Sequence, residues 1–202
     1  MKNSRRILRS VFALGLSVVL VSSMLPIGNV AYAAPPSEAS SATDPVLASQ
    51  ALDELWVDGT NGDDANDGSA SAMVKTLGKA LERQATDPSI TTIHVKGDLA
   101  LSATATIPSG VTLSVADDTT MTGSGKDGIT LESGASLACD DGKTLTMSGF
   151  KTALIVKAGA EVNDGRYNFD GNTYGFNLQG KFNGTGRDKL TVSALTEKGS
   201  TF

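Results

Sequence analysis

The chain has few of the residues from which reactive or binding sites are usually built. Its 202 residues include one cysteine, one histidine and one tryptophan, and aromatic residues make up 5%. A single thiol, Cys139, forms no internal disulfide, so an exported chain of this kind must be held together by something else. An excess of positive charge is missing too: Lys and Arg number 17 against 22 Asp and Glu. Residues 1–33 carry four basic groups and no acid, so losing them takes the formal charge from −5 to −9. A surface with that balance repels phosphate backbones and anionic lipid heads, which argues against nucleic acid and membrane surfaces as partners.

What the N-terminus does contain is an export leader. Lys2, Arg5, Arg6 and Arg9 form a basic start, Val11 to Ile27 is a nearly uncharged apolar run, and Ala31, Tyr32 and Ala33 supply the small-x-small pattern that signal peptidase reads. Cleavage is expected after Ala33, leaving a secreted or cell-surface protein that meets the membrane only through its leader. A permanent anchor would need about 20 uninterrupted apolar residues. Here Gly15, Ser17, Ser22, Ser23 and Pro26 break the run. Residues 34–52, rich in Ala, Ser and Pro with few large apolar groups, read as a flexible linker, and residues 53–202 as one domain.

That domain repeats. The segments TATIPSGVTLSV, GITLESGASLAC, ALIVKAGAEVND and GFNLQGKFNG align, and their glycines Gly110, Gly134, Gly159 and Gly180 lie 24, 25 and 21 residues apart. A second ladder, a large apolar residue two positions before a small one, runs through Val95, Met121, Met147, Phe169 and Val192 at intervals of 26, 26, 22 and 23. Two markers sharing one period place at least two strands in every repeat, and Val111, Leu113 and Val115 supply a third by alternation. The expectation is an all-β, right-handed parallel β-helix of four to five coils of about 24 residues, three strands each. Like residues then stack at roughly 4.8 Å. The expected inward columns are Ile107, Leu131, Val156 and Leu178; Ile129, Leu154 and Phe176; and Val95, Met121, Met147, Phe169 and Val192. An antiparallel sandwich also suits short strands with frequent turns, but it does not require a constant period. In the fourth repeat Leu178 reaches Gly180 in two residues where Leu131 reaches Gly134 in three, so either the register shifts or the turn tightens.

Before the first coil, Leu77, Ala80, Leu81 and Ala85 fall at helical spacing, with Lys79, Glu82 and Arg83 outward and Pro88 closing the segment. Such a helix covers the open first rung, whose unpaired edge would otherwise invite aggregation. Trp56 to Asp58 form a strand ending in Val-Asp, Gly59 to Gly68 an Asn, Gly and Asp-rich loop, Lys75 to Ala85 a capping helix, and Ile93 to Gly97 an Ile-x-Val strand. This order resembles the start of pectin-lyase-like parallel β-helix proteins. The resemblance implies the fold over about residues 55–202, while the same scaffold carries lyases, glycosidases and adhesins.

Few residues suggest chemistry, and no catalytic set or bound cofactor is expected. Inverting glycosidases need carboxylates facing one groove at roughly 6.5–9.5 Å. The exposed row beside the glycines instead reads Pro108, Glu132, Lys157, Gln179, with Glu132 and Lys157 expected as a cross-rung ion pair. Asp58, Asp63, Asp64, Asn66 and Asp67 offer the oxygen ligands that calcium prefers, without the spacing of an EF-hand loop. Their structural alternative is a turn-rich loop folded over the helix. Asp117, Asp118, Asp140 and Asp141 are paired acids in successive turns, a weaker ion site. His94 alternates with inward Ile93 and Val95 and reads as a surface residue. Trp56 and Tyr174 are the exposed aromatics that a glycan would stack on, with packing against the helix and at a coil corner as their alternatives.

The function expected from these features is an exported structural and adhesive module, not an enzyme, presented to a glycan or a host or cell-surface protein. The alternative is the N-terminal part of a polysaccharide lyase or glycoside hydrolase with its active face in later coils. The chain stops at Phe202 just after the fifth marker, so further coils or self-association are expected at the C-terminal edge. Secretion from its own leader should yield a product whose first residue is Ala34; N-terminal sequencing checks this, and an intact Met1 would identify the apolar run as an anchor.

Overall fold

The computed structural model describes residues 52–186 and 189–193. The expected leader, the expected cleavage point after Ala33 and nearly all of the expected linker lie outside them. A leading strand β1 (Glu54–Asp58) is followed by a helix α1 (Leu77–Thr86). The first coil comprises β2 (Thr92–Lys96), β3 (Leu99–Ala100) and β4 (Ala105–Ile107), and the second β5 (Thr112–Val115), β6 (Thr119–Thr122) and β7 (Ile129–Leu131). The third comprises β8 (Ser136–Cys139), β9 (Thr144–Ser148) and β10 (Thr152–Val156), and the fourth β11 (Glu161–Val162), β12 (Gly165–Asn168) and β13 (Tyr174–Leu178). A fifth begins with β14 (Lys181–Phe182) and β15 (Leu190–Ser193).

These strands form three sheets ordered β1-β2-β5-β8-β11-β14, β3-β6-β9-β12-β15 and β4-β7-β10-β13. Every pairing between them is parallel, so the chain is a parallel β-solenoid and not an antiparallel sandwich. Two of the expected columns are present in register. Ile107, Leu131, Val156 and Leu178 stack, as do Ile129, Leu154 and Phe176, with Ala105 added below Ile129. The first sheet contributes Leu55, Ile93, Leu113, Leu137, Val162 and Phe182 in one line.

The third expected column is only partly correct. Met121 does face Met147, but the residue below Met121 is Leu99. Val95 lies on the first sheet, between Val57 and Val115, in a line that ends at Cys139. Val192 faces Tyr167, not Phe169. The apolar-x-small pattern misleads because Val95 and Leu99 are four residues apart on successive strands, and coil lengths vary by about as much.

Three of the glycines that mark the repeat close the turn between the third and first sheets. Val111 N donates to Pro108 O at 3.2 Å, Ala135 N to Glu132 O at 2.8 Å and Ala160 N to Lys157 O at 2.9 Å. The third residue of each turn is Gly110, Gly134 or Gly159, with φ of 78°, 81° and 83°. Glycine adopts that left-handed conformation without the strain of a Cβ. In the fourth coil the turn tightens and the register survives, since Lys181 still pairs with Glu161. Gly180 is needed there for space: a Cβ would come within 2.3 Å of Ala160 O and 2.6 Å of Lys157 O.

The helix packs against β1 and β4, the end strands of two sheets. It starts at Leu77 and not at Lys75, because the Thr76 side chain caps it by accepting from Lys79 N at 3.2 Å. Leu77 and Ala80 are buried and Leu81 packs partly against the core. Ala85, expected inward, is exposed. The outer edge of β1 is closed by the loop: Trp56 N donates to Gly68 O at 2.8 Å, Val74 N to Trp56 O at 3.0 Å and Asp58 N to Val74 O at 2.9 Å.

Leu131 is fully buried between Ile107 and Val156. Leu131→Asp puts an unpaired charge there and should abolish cooperative melting. Glu132→Ala, one residue along and facing water, should change stability by less than about 1 kcal/mol. Thermal circular dichroism of both variants checks this, and normal melting of Leu131→Asp would refute the column.

Candidate functional site

The most organised polar cluster lies where β1 meets β2 on the outer face of the first sheet. Trp56 and His94 are register partners, and their rings stack with centroids 4.2 Å apart and an interplanar angle of 17°. Glu54 holds both rings, accepting from Trp56 Nε1 at 3.0 Å and contacting His94 Nε2 at 3.2 Å. The indole hydrogen bond, followed by the His94 interactions, outweighs burial and lowers the Glu54 carboxyl below its usual range. His94 is therefore not the unattached surface residue that alternation alone suggests. Its side chain is 19% exposed, and Nδ1 is buried without a hydrogen-bond partner. Trp56 stacks on His94, so one face of the indole is already covered.

Two residues further along the same strands, Asp58 pairs with Lys96 at 3.3 Å. Asp58 Oδ1 also accepts from Thr60 N at 3.0 Å and Asn61 N at 2.9 Å, and Oδ2 from Asn61 Nδ2 at 3.4 Å. Burial pushes its carboxyl up, but these hydrogen bonds together pull it below the ordinary range. The other candidates of the acidic loop face different ways. Asp63 Oδ1 accepts from Ala65 N at 2.9 Å, and Asp67 Oδ1 from Ser69 N at 2.9 Å. Asp64 accepts from Lys75 N at 2.9 Å, Thr76 N at 2.8 Å and Thr76 Oγ1 at 2.8 Å, fastening the loop to the helix N-terminus, where a carboxylate is favoured. Asn66 Nδ2 donates to Met73 O at 2.9 Å, while Arg83 donates to the carbonyls of Asn66 and Asp67. The loop is thus tied to the helix by turns that each use their own acid. Among the described residues, no three His, Cys, Asp or Glu side chains converge as a metal site.

The paired acids of the later turns are shared out in the same way. Asp117 pairs with Lys143 at 2.6 Å, and Asp118 accepts from Thr144 N at 2.8 Å. Asp140 accepts from Ser114 Oγ at 3.3 Å, and Asp141 pairs with Lys189 at 2.9 Å. The expected pair Glu132 and Lys157 is present at 2.6 Å. Asp140, Asp141, Asp164, Lys143, Arg166 and Lys189 surround a cleft of about 640 Å³ with Cys139 in its wall. Burial pushes the Cys139 thiol up to about 11, so it stays protonated and a poor nucleophile.

Tyr174 begins β13 opposite Thr152 and borders a separate shallow cleft with Lys151 and Asn177. It belongs to the third sheet and Trp56 to the first, four coils away, so the fold does not bring the two aromatics together. Of this cluster the sequence marks Trp56 and His94 as outward positions and gives no sign of Glu54. Their contact follows from the β1–β2 register, which places residues 40 apart in the chain side by side. No protein-family profile, curated protein or solved structure matches the chain. Among the described residues no helix is long and apolar enough to cross a membrane.

The lowered Asp58 carboxyl is a stability term with a definite sign. A folded value below the unfolded one contributes stability above the unfolded value, about pH 3.9, and loses it as pH falls through the folded value. Asp58→Asn should lower stability at neutral pH and flatten the acid limb of the stability curve. Urea melts from pH 7 down to pH 2 check this, and parallel acid limbs for the two proteins would refute it.

Proposed function

We propose that this protein is an exported structural and adhesive β-solenoid module, non-catalytic in itself, that presents a rigid coil stack to a glycan or a cell-surface protein. The observation that carries this reading is the distribution of ionisable groups along the stack. Glu132–Lys157, Asp117–Lys143, Glu161–Lys181 and Asp141–Lys189 each join one coil to a later one, so that these acids, Asp141 of the Cys139 cleft included, are already paired with a base. Acid–base hydrolysis needs two groups poised over a single bond. The export leader and the resemblance to the opening of pectin-lyase-like proteins agree with an extracellular scaffold. A partly exposed Trp56 edge and Tyr174 are the aromatic surfaces a glycan would meet first.

A second copy or further coils would add at the C-terminal side. Among the described residues, β13, β14 and β15 each end their sheet, and Leu178, Phe182 and Val192 there are only partly buried. Strand edges next to an incompletely covered apolar column favour such addition. The secreted protein should be retained by bacterial or host cell surfaces and release no sugar from acidic or neutral polysaccharides, with or without calcium. Reducing-end and unsaturated-product assays, run beside a cell-retention assay, test both parts. Turnover on any glycan would overturn the non-catalytic reading, and absence of retention would overturn the adhesive one.

A further inference from the structure

The chain contains two Asn-Gly dipeptides in the domain, Asn61-Gly62 and Asn183-Gly184. This pair is chemically special. The backbone nitrogen of glycine, unhindered by a Cβ, can attack the preceding side-chain amide carbon and close a five-membered succinimide. The new bond joins the glycine N to Asn Cγ, the bond from Cγ to the side-chain nitrogen breaks, and that nitrogen leaves as ammonia. Water then opens the ring to aspartate or isoaspartate. No enzyme, metal or redox partner takes part, but the glycine nitrogen must be free to swing onto Cγ.

The fold treats the two sites differently. Gly62 N donates to Asp58 O at 2.8 Å. The Asn61 backbone and side-chain nitrogens are both held by the Asp58 carboxylate, at 2.9 and 3.4 Å. The place of a Gly62 Cβ lies 2.3 Å from Val74 O and 2.6 Å from Asp58 O, so the glycine is packed against backbone and has no room to rotate. Asn183 and Gly184 are both exposed, past the end of β14. Asn183 N is anchored on Val162 O at 2.7 Å and Thr185 N on Asp164 Oδ1 at 2.8 Å, whereas Gly184 N between them donates to no described group. The Asn183 amide is retained only by surface contacts, 3.4 Å to Glu161 Oε2 and 3.2 Å to Asn163 Oδ1.

We propose that Asn183 is a spontaneous modification site of the native protein, converting to aspartate and isoaspartate, while Asn61 is protected by the Asp58 turn. The conversion has a structural consequence. It places a carboxylate against Glu161, whose other oxygen pairs with Lys181 at 2.8 Å. The pairing of β11 with β14 consists of Glu161 with Lys181 and Val162 with Phe182, so a new like charge falls on the junction that docks the fifth coil. Conversion therefore loosens the C-terminal rung as the secreted protein ages.

The test is peptide mapping by mass spectrometry of the folded, full-length secreted protein held in mildly alkaline buffer, with the same protein in concentrated urea alongside. In the folded protein, conversion at Asn183 should exceed that at Asn61 by at least about tenfold, since opening hydrogen bonds at Asp58 must precede attack at Asn61. In urea the two rates should approach each other, because both are Asn-Gly. Gly184→Ala should suppress conversion at Asn183 and leave Asn61 unchanged. Equal folded-state rates, or faster reaction at Asn61, would overturn the proposal. A preference for Asn183 that persists undiminished in urea would also overturn it, by assigning the difference to flanking sequence and not to the fold.

Discussion

Everything in this molecule depends on parallel, in-register stacking of one coil on the next. The backbone groups of each inner strand are satisfied by the strands above and below, and even the turns join coil to coil, as in the bonds from Gly110 N to Gly134 O and from Gly134 N to Gly159 O, 3.1 and 2.9 Å long. Stacking at roughly 4.8 Å makes every inward residue the neighbour of its own equivalent. A column therefore accepts residues of similar shape and rejects an isolated polar or oversized one. That is why a chain with 5% aromatics and 40% apolar residues closes a continuous core. Phe150 enters the core in the third coil, and a run of rings follows it. Tyr167, Phe169, Phe176 and Phe182 form successive ring contacts with centroids 6.5, 5.9 and 5.4 Å apart in the fourth and fifth coils.

The same constraint orders the surface. Among the described residues, in each ion pair between coils the acid belongs to the earlier coil and the base to the later one, as in Asp58 with Lys96, Asp117 with Lys143, Glu132 with Lys157, Glu161 with Lys181 and Asp141 with Lys189, and the Glu54 contact with His94 runs the same way. Most of these are solvent-facing and individually weak. Their shared direction matters more than their strength, since a coil slipped by one residue would turn these partners to the opposite face. Turn aspartates act likewise, with Asp98, Asp118 and Asp164 each accepting from a backbone N–H one coil on, at Thr120, Thr144 and Thr185.

Charged groups used in this way are engaged in joining coils, and this is what supports the proposed function. The acidic loop illustrates the point. Asp58, Asp63, Asp64 and Asp67 would offer a cation several oxygens if they converged, but each accepts hydrogen bonds from its own turn or from the helix start. The loop closes the edge of β1 and secures α1, so its carboxylates serve the end of the solenoid that would otherwise expose an unpaired strand. Asn61 is sheltered by the same arrangement, while at Asn183 the aspartate Asp164 holds Thr185 and leaves Gly184 N without a described acceptor.

The sequence by itself determined the solenoid, its three-strand coil, two of the three proposed columns, the capping helix and the Glu132–Lys157 pair. Each is a periodic or near-neighbour property: alternation sets which side chains face inward, and a repeated glycine marks a turn whose backbone a Cβ would strain. Only the tertiary structure decided which repeat element lies over which. Val95 and Leu99 both satisfy the apolar pattern, and choosing Leu99 as the partner of Met121 requires knowing where the chain turns between sheets. The same holds for the stacking of Trp56 on His94, for the separation of Trp56 from Tyr174, and for the different surroundings of two identical Asn-Gly dipeptides. In each case the deciding contact joins residues distant along the chain, and coil lengths that vary by several residues erase that register from any count along the sequence.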